Sequence, residues 1–568
     1  MNLYHHSFET DGLGSSQHIS FTPCDSSAEN NAAQVLASLE AMLNRGESGK
    51  ALILLENLPE VLLLDNPTFY MHYVWALLCE RRFEEAKIAR EFFEANSYRL
   101  LADVDSEAVK LFATNTAVLG LLQFIFENDL NAISVEAMDR LKTYLDVPSH
   151  YQFMITNIYA FLLFMNGRYE KARYFAAKAK MANALQKDVY NYSISNVLIA
   201  LSDRALGRYD LAINGVTKTL SEIEWVKDTP AYSTALMVKA MLLYDRNELD
   251  EARTIIENAL PNLGIPAITE FLVHGHLILA RIEIWEQRYE KAEALLDGLL
   301  KKLDSSGYER WSSAITHEQV RAKLFNRGTS DNQDTNGLDR SLNYYNSRYC
   351  PAVGHIPLRT HLMVALHQQQ HDLATNLLGQ LSQVCLLQRD SMLRIVLLSS
   401  TAVLEFSRDN REEACEYLNQ ALHASQRSGI TRALFDEVSG FEKLFAYAVE
   451  NNFIDDDVCE ELIANLKQVN FRLVVENKKV NDAESQHSGS TSAQVKPNAN
   501  LSLDALTQTE QKILILLAQG LPNKSIATQC NINISTVKWH LKNIYSKLYV
   551  SNRTEAVIKA QQYQLVAS

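Results

Sequence analysis

The sequence NGRYEKA (residues 166–172) returns three times at intervals of 40 residues, as LGRYDLA (206–212), RNELDEA (246–252) and EQRYEKA (286–292). Each copy has an aromatic or large apolar residue followed three positions later by alanine, with apolar segments of helical period around it. The pattern predicts two helices joined by a turn, and its fixed period predicts a solenoid of such helical hairpins. We expect the alanine to let two helices cross closely, while the ring fills the wedge between successive hairpins.

Weaker copies extend the pattern in both directions, as RGESGKA (45–51), ERRFEEA (80–86), QQHDLA (369–374) and DNREEA (409–414). One copy, near residues 126–133, is degenerate. A polar stretch at 326–337 contains no apolar residue. A loop of this length is either functional or a solvated irregularity of the solenoid, and the second interpretation is the simpler one. The functional interpretation makes the residues after the loop candidates for an effector pocket: Tyr344, Tyr345, Arg348 and Tyr349.

The composition predicts four regions in the 568-residue chain. Residues 1–30 are polar and aperiodic and predict a disordered leader, whereas 31–475 carry the helical repeats. Residues 476–500 are rich in polar residues and predict a flexible linker to a tail at 501–568. The tail holds seven Lys and Arg against three Asp and Glu, a net +4, which leaves −18 on the rest of a chain of net charge −14. A basic tail on an acidic body indicates that the tail alone meets a polyanion.

Several classes of protein are disfavoured by the sequence. The N-terminus has no signal-peptide pattern, no apolar run is long enough to span a bilayer, and the seven cysteines lack metal-ligand spacing, so we expect a cytoplasmic protein with no membrane partner. RGESGKA resembles the end of a phosphate-binding loop, but Asn44 and Ala51 stand where that loop needs glycine and a hydroxyl residue. Because no catalytic or metal-binding constellation is identifiable, we expect no cofactor, no metal and no enzymatic activity.

The tail has the pattern of four short helices. Thr507 to Glu510 form a capping box that opens the first, and Asn523 is placed to cap the second. In the third helix, Val537, Leu541, Ile544 and Leu548 form one apolar stripe, and the opposite face carries Ser535, Trp539, Lys542 and Ser546, with Lys538 on its flank. A short helix with one exposed basic face has the geometry of a recognition helix in the DNA major groove. Taken alone, the lysines would be interpreted as a solvated helix face.

Both parts of the chain resemble known families. The Gly167–Tyr169–Ala172 core is similar to tetratricopeptide repeats, and its longer period is closer to the repeats of MalT-like transcription regulators. The tail resembles the LuxR-type helix-turn-helix, although Tyr549 stands where that family usually has glycine and Asn533 replaces the usual serine cap. This resemblance implies the following DNA-contacting residues: Asn523, Lys524, Ser535, Thr536, Lys538, Trp539, His540, Lys542, Asn543 and Arg553. For His540, a hydrogen bond within the domain is an equally good interpretation.

The sequence therefore predicts an all-α protein, with a TPR-like solenoid, a flexible linker and a four-helix LuxR-type helix-turn-helix domain. The leading hypothesis is a transcription regulator, by family resemblance an activator, that binds double-stranded DNA as a homodimer. A small-molecule or protein effector on the repeats would control it, with RNA polymerase as a further partner. MalT-like regulators carry an NTPase module before their repeats, which we do not expect in this chain. The alternative is a repeat-type adaptor whose main role is protein binding, with DNA binding secondary.

Overall fold

A computed structural model describes most of the repeat region and parts of the tail. The described residues are 27–59, 67–100, 106–127, 135–147, 151–186, 188–263, 269–304, 311–326, 355–434, 436–437, 440–455, 457–460, 462–465, 508–518, 521–530, 537, 541, 544 and 556. Two compact units divide the chain, the first comprising 1–445 with 455–466 and the second 446–454 with 467–568. Every regular element in the described ranges is helical, which confirms the predicted all-α class.

The helices alternate with short turns along the chain, and the first of them begins four residues before the predicted start of the repeats. In chain order they are α1 Ser27–Leu43, α2 Ser48–Glu56, α3 Pro67–Cys79, α4 Phe83–Leu100, α5 Ser106–Glu127, α6 Val135–Tyr144, α7 Gln152–Met165, α8 Tyr169–Gln186, α9 Val189–Ala205, α10 Tyr209–Glu222, α11 Pro230–Asp245, α12 Leu249–Ala259, α13 Thr269–Trp285, α14 Tyr289–Asp304, α15 Ser312–Phe325, α16 Ile356–His367, α17 His371–Gln388, α18 Ser391–Ser407, α19 Arg411–Ser428, α20 Phe441–Glu450, α21 Gln508–Ala518 and α22 Asn523–Cys530.

The repeated motif marks the turn of each hairpin. The aromatic or apolar position of the four clear copies is the first residue of the second helix, at Tyr169, Tyr209, Leu249 and Tyr289. Two positions earlier stands a residue in the left-handed conformation, glycine in the first two copies, Asn247 with φ 72° in the third and Gln287 with φ 59° in the fourth. The N–H of the next residue donates to a carbonyl in the last turn of the preceding helix. In the first copy, the N–H of Arg168 donates to the carbonyl of Leu163 at 2.9 Å. The motif thus encodes a helix end and a helix start in seven residues.

The alanines that recur in the repeated motif lie where helices pack closely, as predicted. The motif alanines of all eight copies are completely buried: Ala51, Ala86, Ala172, Ala212, Ala252, Ala292, Ala374 and Ala414. The rings behave less uniformly. The hydroxyl of Tyr209 donates to the carbonyl of Leu242 in the next hairpin at 2.8 Å. That of Tyr169 instead donates to the carboxylate of Asp390, 221 residues away, at 3.0 Å.

Hairpins far apart in sequence meet within the first unit. The carbonyl of Asn44, in the first turn, accepts a hydrogen bond from the N–H of Tyr190 at 2.7 Å. The carbonyl of Asp245, at the end of α11, accepts one from the N–H of Thr431 at 2.7 Å. The stack of hairpins therefore curves back on itself, and turns of early hairpins pack against the ends of later ones.

One described helix, α5, is long and apolar enough over Val109–Phe126 to cross a membrane by length and composition alone. Its side chains Phe112, Leu119, Leu122 and Ile125 are buried in the hydrophobic core of the first unit. Packing against neighbouring hairpins explains why α5 is apolar, because a core helix meets the same criterion of length and composition.

Candidate nucleic-acid interface and buried arginine cluster

The described part of the second unit is built around one small core. Ile513, Leu514 and Leu517 of α21 pack with Ile526 and Ala527 of α22, and the same cluster includes three residues of the predicted third helix and one of the fourth: Val537, Leu541, Ile544 and Ala556. The predicted apolar stripe is therefore buried at each of its described positions. The helix α22 begins at Asn523, and the N–H groups of Ser525 and Ile526 both donate to the carbonyl of Pro522, at 2.8 and 3.1 Å, so Pro522 rather than Asn523 occupies the cap position.

Two of the predicted DNA-contacting residues lie in the described part of this unit. Asn523 and Lys524 open α22, with Asn523 half-buried and Lys524 exposed. The remaining predicted residues lie outside the described residues: Ser535, Thr536, Lys538, Trp539, His540, Lys542, Asn543 and Arg553. The same is true of the predicted effector residues Tyr344, Tyr345, Arg348 and Tyr349. All of these assignments remain predictions.

The first unit contains a group of charges that the repeat pattern did not predict, all of them buried except Arg281, whose side chain is 26% exposed. We call Arg281, Glu318, Arg321, Arg359 and Glu437 the buried arginine cluster. The Nε of Arg281, on α13, donates to Oε1 of Glu318, on α15, at 2.8 Å. The other carboxylate oxygen of Glu318 lies 3.0 Å from Nη1 of Arg321. Glu318 is completely buried, yet the two guanidinium groups hold the pKa of its carboxyl below the usual value against the opposing effect of burial.

The carboxylate of Glu437 is the meeting point of the cluster. Arg359, on α16, donates from Nε to Oε2 of Glu437 at 2.7 Å, and its Nη2 contacts Oε1. The Nη2 of Arg321 donates to the same Oε1 at 3.2 Å. The Nε2 of His317 lies 3.5 Å from this oxygen, while its Nδ1 is 2.8 Å from Oγ1 of Thr360. One carboxylate thus satisfies donors from two helices.

Glu437 lies between α19 and α20, after the 3-10 helix Arg432–Leu434, in what we call the 431–437 segment. The segment contacts earlier hairpins at three further points, one of which is the hydrogen bond from Nη1 of Arg432 to Oδ1 of Asn247 at 3.2 Å. The N–H of Thr431 donates to the carbonyl of Asp245, and the hydroxyl of Tyr244 donates to Oδ2 of Asp436, each at 2.7 Å. The segment therefore joins the sixth hairpin, α11 with α12, to the helices that carry the arginines.

Buried histidines predict a specific pH dependence of stability. Burial, with the nearby charges of Arg281 and Arg204, lowers the pKa of His274 to about 3, and burial also lowers the pKa of His317. In the unfolded chain a histidine titrates near pH 6.5. Below that pH the unfolded state binds protons that the folded state does not bind. The free energy of unfolding is therefore highest above pH ~6.5, and it falls by up to ~1.4 kcal/mol for each histidine with each unit that the pH drops below that value.

We therefore expect His274→Phe, which keeps the edge-on ring contact with Trp311, to reduce the loss of stability between pH 6.5 and 5. Denaturant titrations of wild type and variant at half-unit pH steps measure this. An identical pH slope for the two proteins would show that His274 is not protonated on unfolding.

Comparison with known families accounts for both units. A family model described as the MalT-like TPR region matches residues 117–451, more than half of the chain. The chain belongs to the MalT-like TPR family. A second model, described as bacterial regulatory proteins of the luxR family, matches residues 504–560. The MalT-like repeat region is thus followed by a LuxR-type helix-turn-helix domain, as the sequence predicted.

Individual relatives match parts of the chain. The HTH-type transcriptional regulator MalT of Vibrio cholerae is 23% identical over 356 residues, which are 60% of this chain and 37% of the relative. The response regulator protein VraR of Staphylococcus aureus is 49% identical over 63 residues, which are 11% of this chain and 30% of the relative. The aligned parts thus span 37% and 30% of the lengths of these two relatives.

Among solved structures, the crystal structure of a Rap protein complexed with competence and sporulation factor matches part of this chain. The match has a TM-score of 0.41 and 10% sequence identity, and it covers 66% of this chain and 99% of that chain.

Proposed function

We propose that this MalT-like protein is a cytoplasmic transcription regulator that binds double-stranded promoter DNA through its LuxR-type domain. It acts as a homodimer and an activator in contact with RNA polymerase, and an effector bound to the repeats controls it. The observation that carries the proposal is the agreement of the luxR family match at 504–560 with a buried core in which Val537, Leu541 and Ile544 take the positions expected of a recognition helix.

The physical logic of the proposal is one of charge and distance. The tail carries a net +4 on a chain of net charge −14, so the rest of the chain repels a polyanion that the tail attracts. DNA affinity then depends on how the repeat region holds or releases the tail. An effector acts by binding one of these states more tightly than the other.

DNA binding by the full chain is expected to be strongly sensitive to salt. Four or five phosphate contacts per domain would lower the affinity by roughly 10²–10³-fold between about 50 and 200 mM salt, because condensed counterions are released on binding. Fluorescence anisotropy with a labelled promoter duplex at several salt concentrations measures the slope. An affinity that does not change with salt would contradict the proposal.

The alternative of a protein-binding adaptor has one observation in its favour. Two large apolar side chains seven positions apart on α8, Tyr174 and Met181, are 66% and 75% exposed. Both hypotheses predict unchanged promoter binding by Tyr174→Ser/Met181→Ser. The adaptor alternative predicts in addition that this variant loses a co-purifying protein, and that wild type and variant alike bind DNA only weakly.

A further inference from the structure

We infer that Arg321 and Arg359 form a carboxylate-binding site that the chain's own Glu437 occupies in this conformation. A small-molecule di- or tricarboxylate competes with Glu437 for it. The inference rests on the proposed function, since it assigns a chemical class to the effector, and it places that effector at a site other than the predicted tyrosines.

The geometry of the site is specific for a planar carboxylate. Arg359 meets Glu437 with two donors on one edge of its guanidinium, Nε on Oε2 and Nη2 on Oε1. Such a fork matches the two oxygens of a carboxylate and adds directional specificity to the charge attraction. Arg321, on a second helix, donates from Nη2 to the same Oε1 at 3.2 Å and to Nε2 of His317 at 3.1 Å, so two guanidinium groups define where the oxygens sit and the histidine positions one of them.

The site also has a donor that Glu437 does not use. The buried Nε of Arg321 has no hydrogen-bond acceptor among the described residues. Burial, together with the charges of Arg281 and Arg321, lowers the pKa of Arg359 to about 9, although the carboxylates of Glu318 and Asp390 oppose this shift. A ligand with two or more carboxylates would replace Glu437 and supply the acceptor that Nε of Arg321 lacks.

Exchange of one carboxylate for another makes the site a switch. Withdrawing Glu437 without replacement would leave the buried guanidinium of Arg359 without its carboxylate partner and Arg321 with Glu318 alone, which is strongly unfavourable, so the segment stays in place in the absence of ligand. A carboxylate ligand removes that penalty, and its concentration then sets the balance. Once Glu437 leaves, the 431–437 segment keeps its contacts through Thr431, Arg432 and Asp436 but loses the one that joins it to the arginine-bearing helices.

The first test uses full-length Glu437→Gln and Glu437→Ala and measures thermal unfolding with succinate or citrate against sodium chloride of equal ionic strength. We expect a saturable rise in Tm of roughly 2 °C or more for the Gln variant, larger than for wild type. The Gln variant retains the shape of the side chain, so the test does not depend on the folding of the Ala variant. Combining Glu437→Gln with Arg359→Lys, which keeps the charge but not the fork, should abolish the rise. Glu170→Ala, which removes an exposed partner of Arg208, is the matched control and should respond as wild type does.

The second test uses wild-type protein and reports movement of the segment. Arg432 is 3% exposed and its guanidinium lies over the ring of Trp285 at 4.6 Å, so trypsin should not cleave after it. Citrate at saturating concentration should produce a new N-terminus at Ala433, detected by mass spectrometry, whereas chloride should not.

Equal responses of the Gln variant to carboxylate and chloride, with no cleavage at Arg432, would overturn the inference. Promoter binding is measured on the same preparations. Its absence in wild type would overturn the proposed function alone, because the carboxylate responses do not require DNA.

Discussion

Replacing Lys538 and Lys542 with alanine is expected to weaken promoter binding by the full-length protein about 30- to 1,000-fold, a loss of roughly 2–4 kcal/mol. The resemblance to LuxR-type domains places both lysines at bases or nearby phosphates. The buried positions Val537, Leu541 and Ile544 support this, because at 100° per residue Lys542 falls on the far side of the helix from them and Lys538 on its flank. Fluorescence anisotropy at fixed salt measures the affinity.

The matched control for this experiment is Lys512→Ala. Lys512 is an exposed residue of α21 in the same small domain, and its removal changes the net charge in the same direction. Lys512→Ala should weaken DNA affinity only by reducing the net positive charge of the domain, an effect of a few-fold at most. Equal effects of the control and of each single recognition-helix substitution would mean that charge alone, and not the predicted helix face, determines binding. Unchanged thermal unfolding of the variants excludes loss of the fold as the cause.

The turns of the solenoid could be predicted from the sequence because short-range geometry determines them. Each motif has a left-handed residue, a helix start two positions later and an alanine three positions after that. All three features lie at one connection between two helices. Each is fixed by contacts between near neighbours in the chain. The same holds for the core of the second unit, where the spacing of Val537, Leu541 and Ile544 identified the buried face.

The buried arginine cluster could not be predicted, because its partners are far apart in sequence. Arg321 and Glu437 are 116 residues apart, and they meet only because the stack of hairpins curves back on itself. A period of 40 residues predicts that hairpins stack, but it does not determine the curvature of the stack. A weak signal was present, since Arg281 lies within the apolar run LILARIEIW of α13, where a solvated face is not expected.

Gly429→Ala is expected to destabilise the repeat region by about 2–5 kcal/mol, the largest effect of any single methyl group that we foresee. Gly429 ends α19 with φ +68°, a conformation that costs an alanine ~1 kcal/mol or more. A Cβ atom there would lie 2.6 Å from Cγ of Tyr209, and relieving such overlap in a packed interior costs roughly 1–3 kcal/mol.

The ring of Tyr209 has little freedom to move away from that methyl group. It is buried, its hydroxyl donates to the Leu242 carbonyl at 2.8 Å, and the guanidinium of Arg246 lies 5.2 Å from its centre. The strain should therefore be relieved at the other side, by displacing Gly429 and the 431–437 segment that follows it. We expect the variant to show trypsin cleavage after Arg432 without any ligand, in addition to its lower midpoint in denaturant.

Gly215→Ala provides the comparison that separates this mechanism from a general intolerance of the repeats to alanine. Gly215 lies inside α10, and a Cβ atom there would have no atom within 4 Å. Alanine is the better helix former by up to ~1 kcal/mol, so this variant should be as stable as wild type or slightly more stable. If both glycine variants were equally destabilised, neither the left-handed turn nor the contact with Tyr209 would account for the loss. If only Gly429→Ala were affected, the close approach of α19 to the fifth hairpin would be established as a determinant of the curved stack.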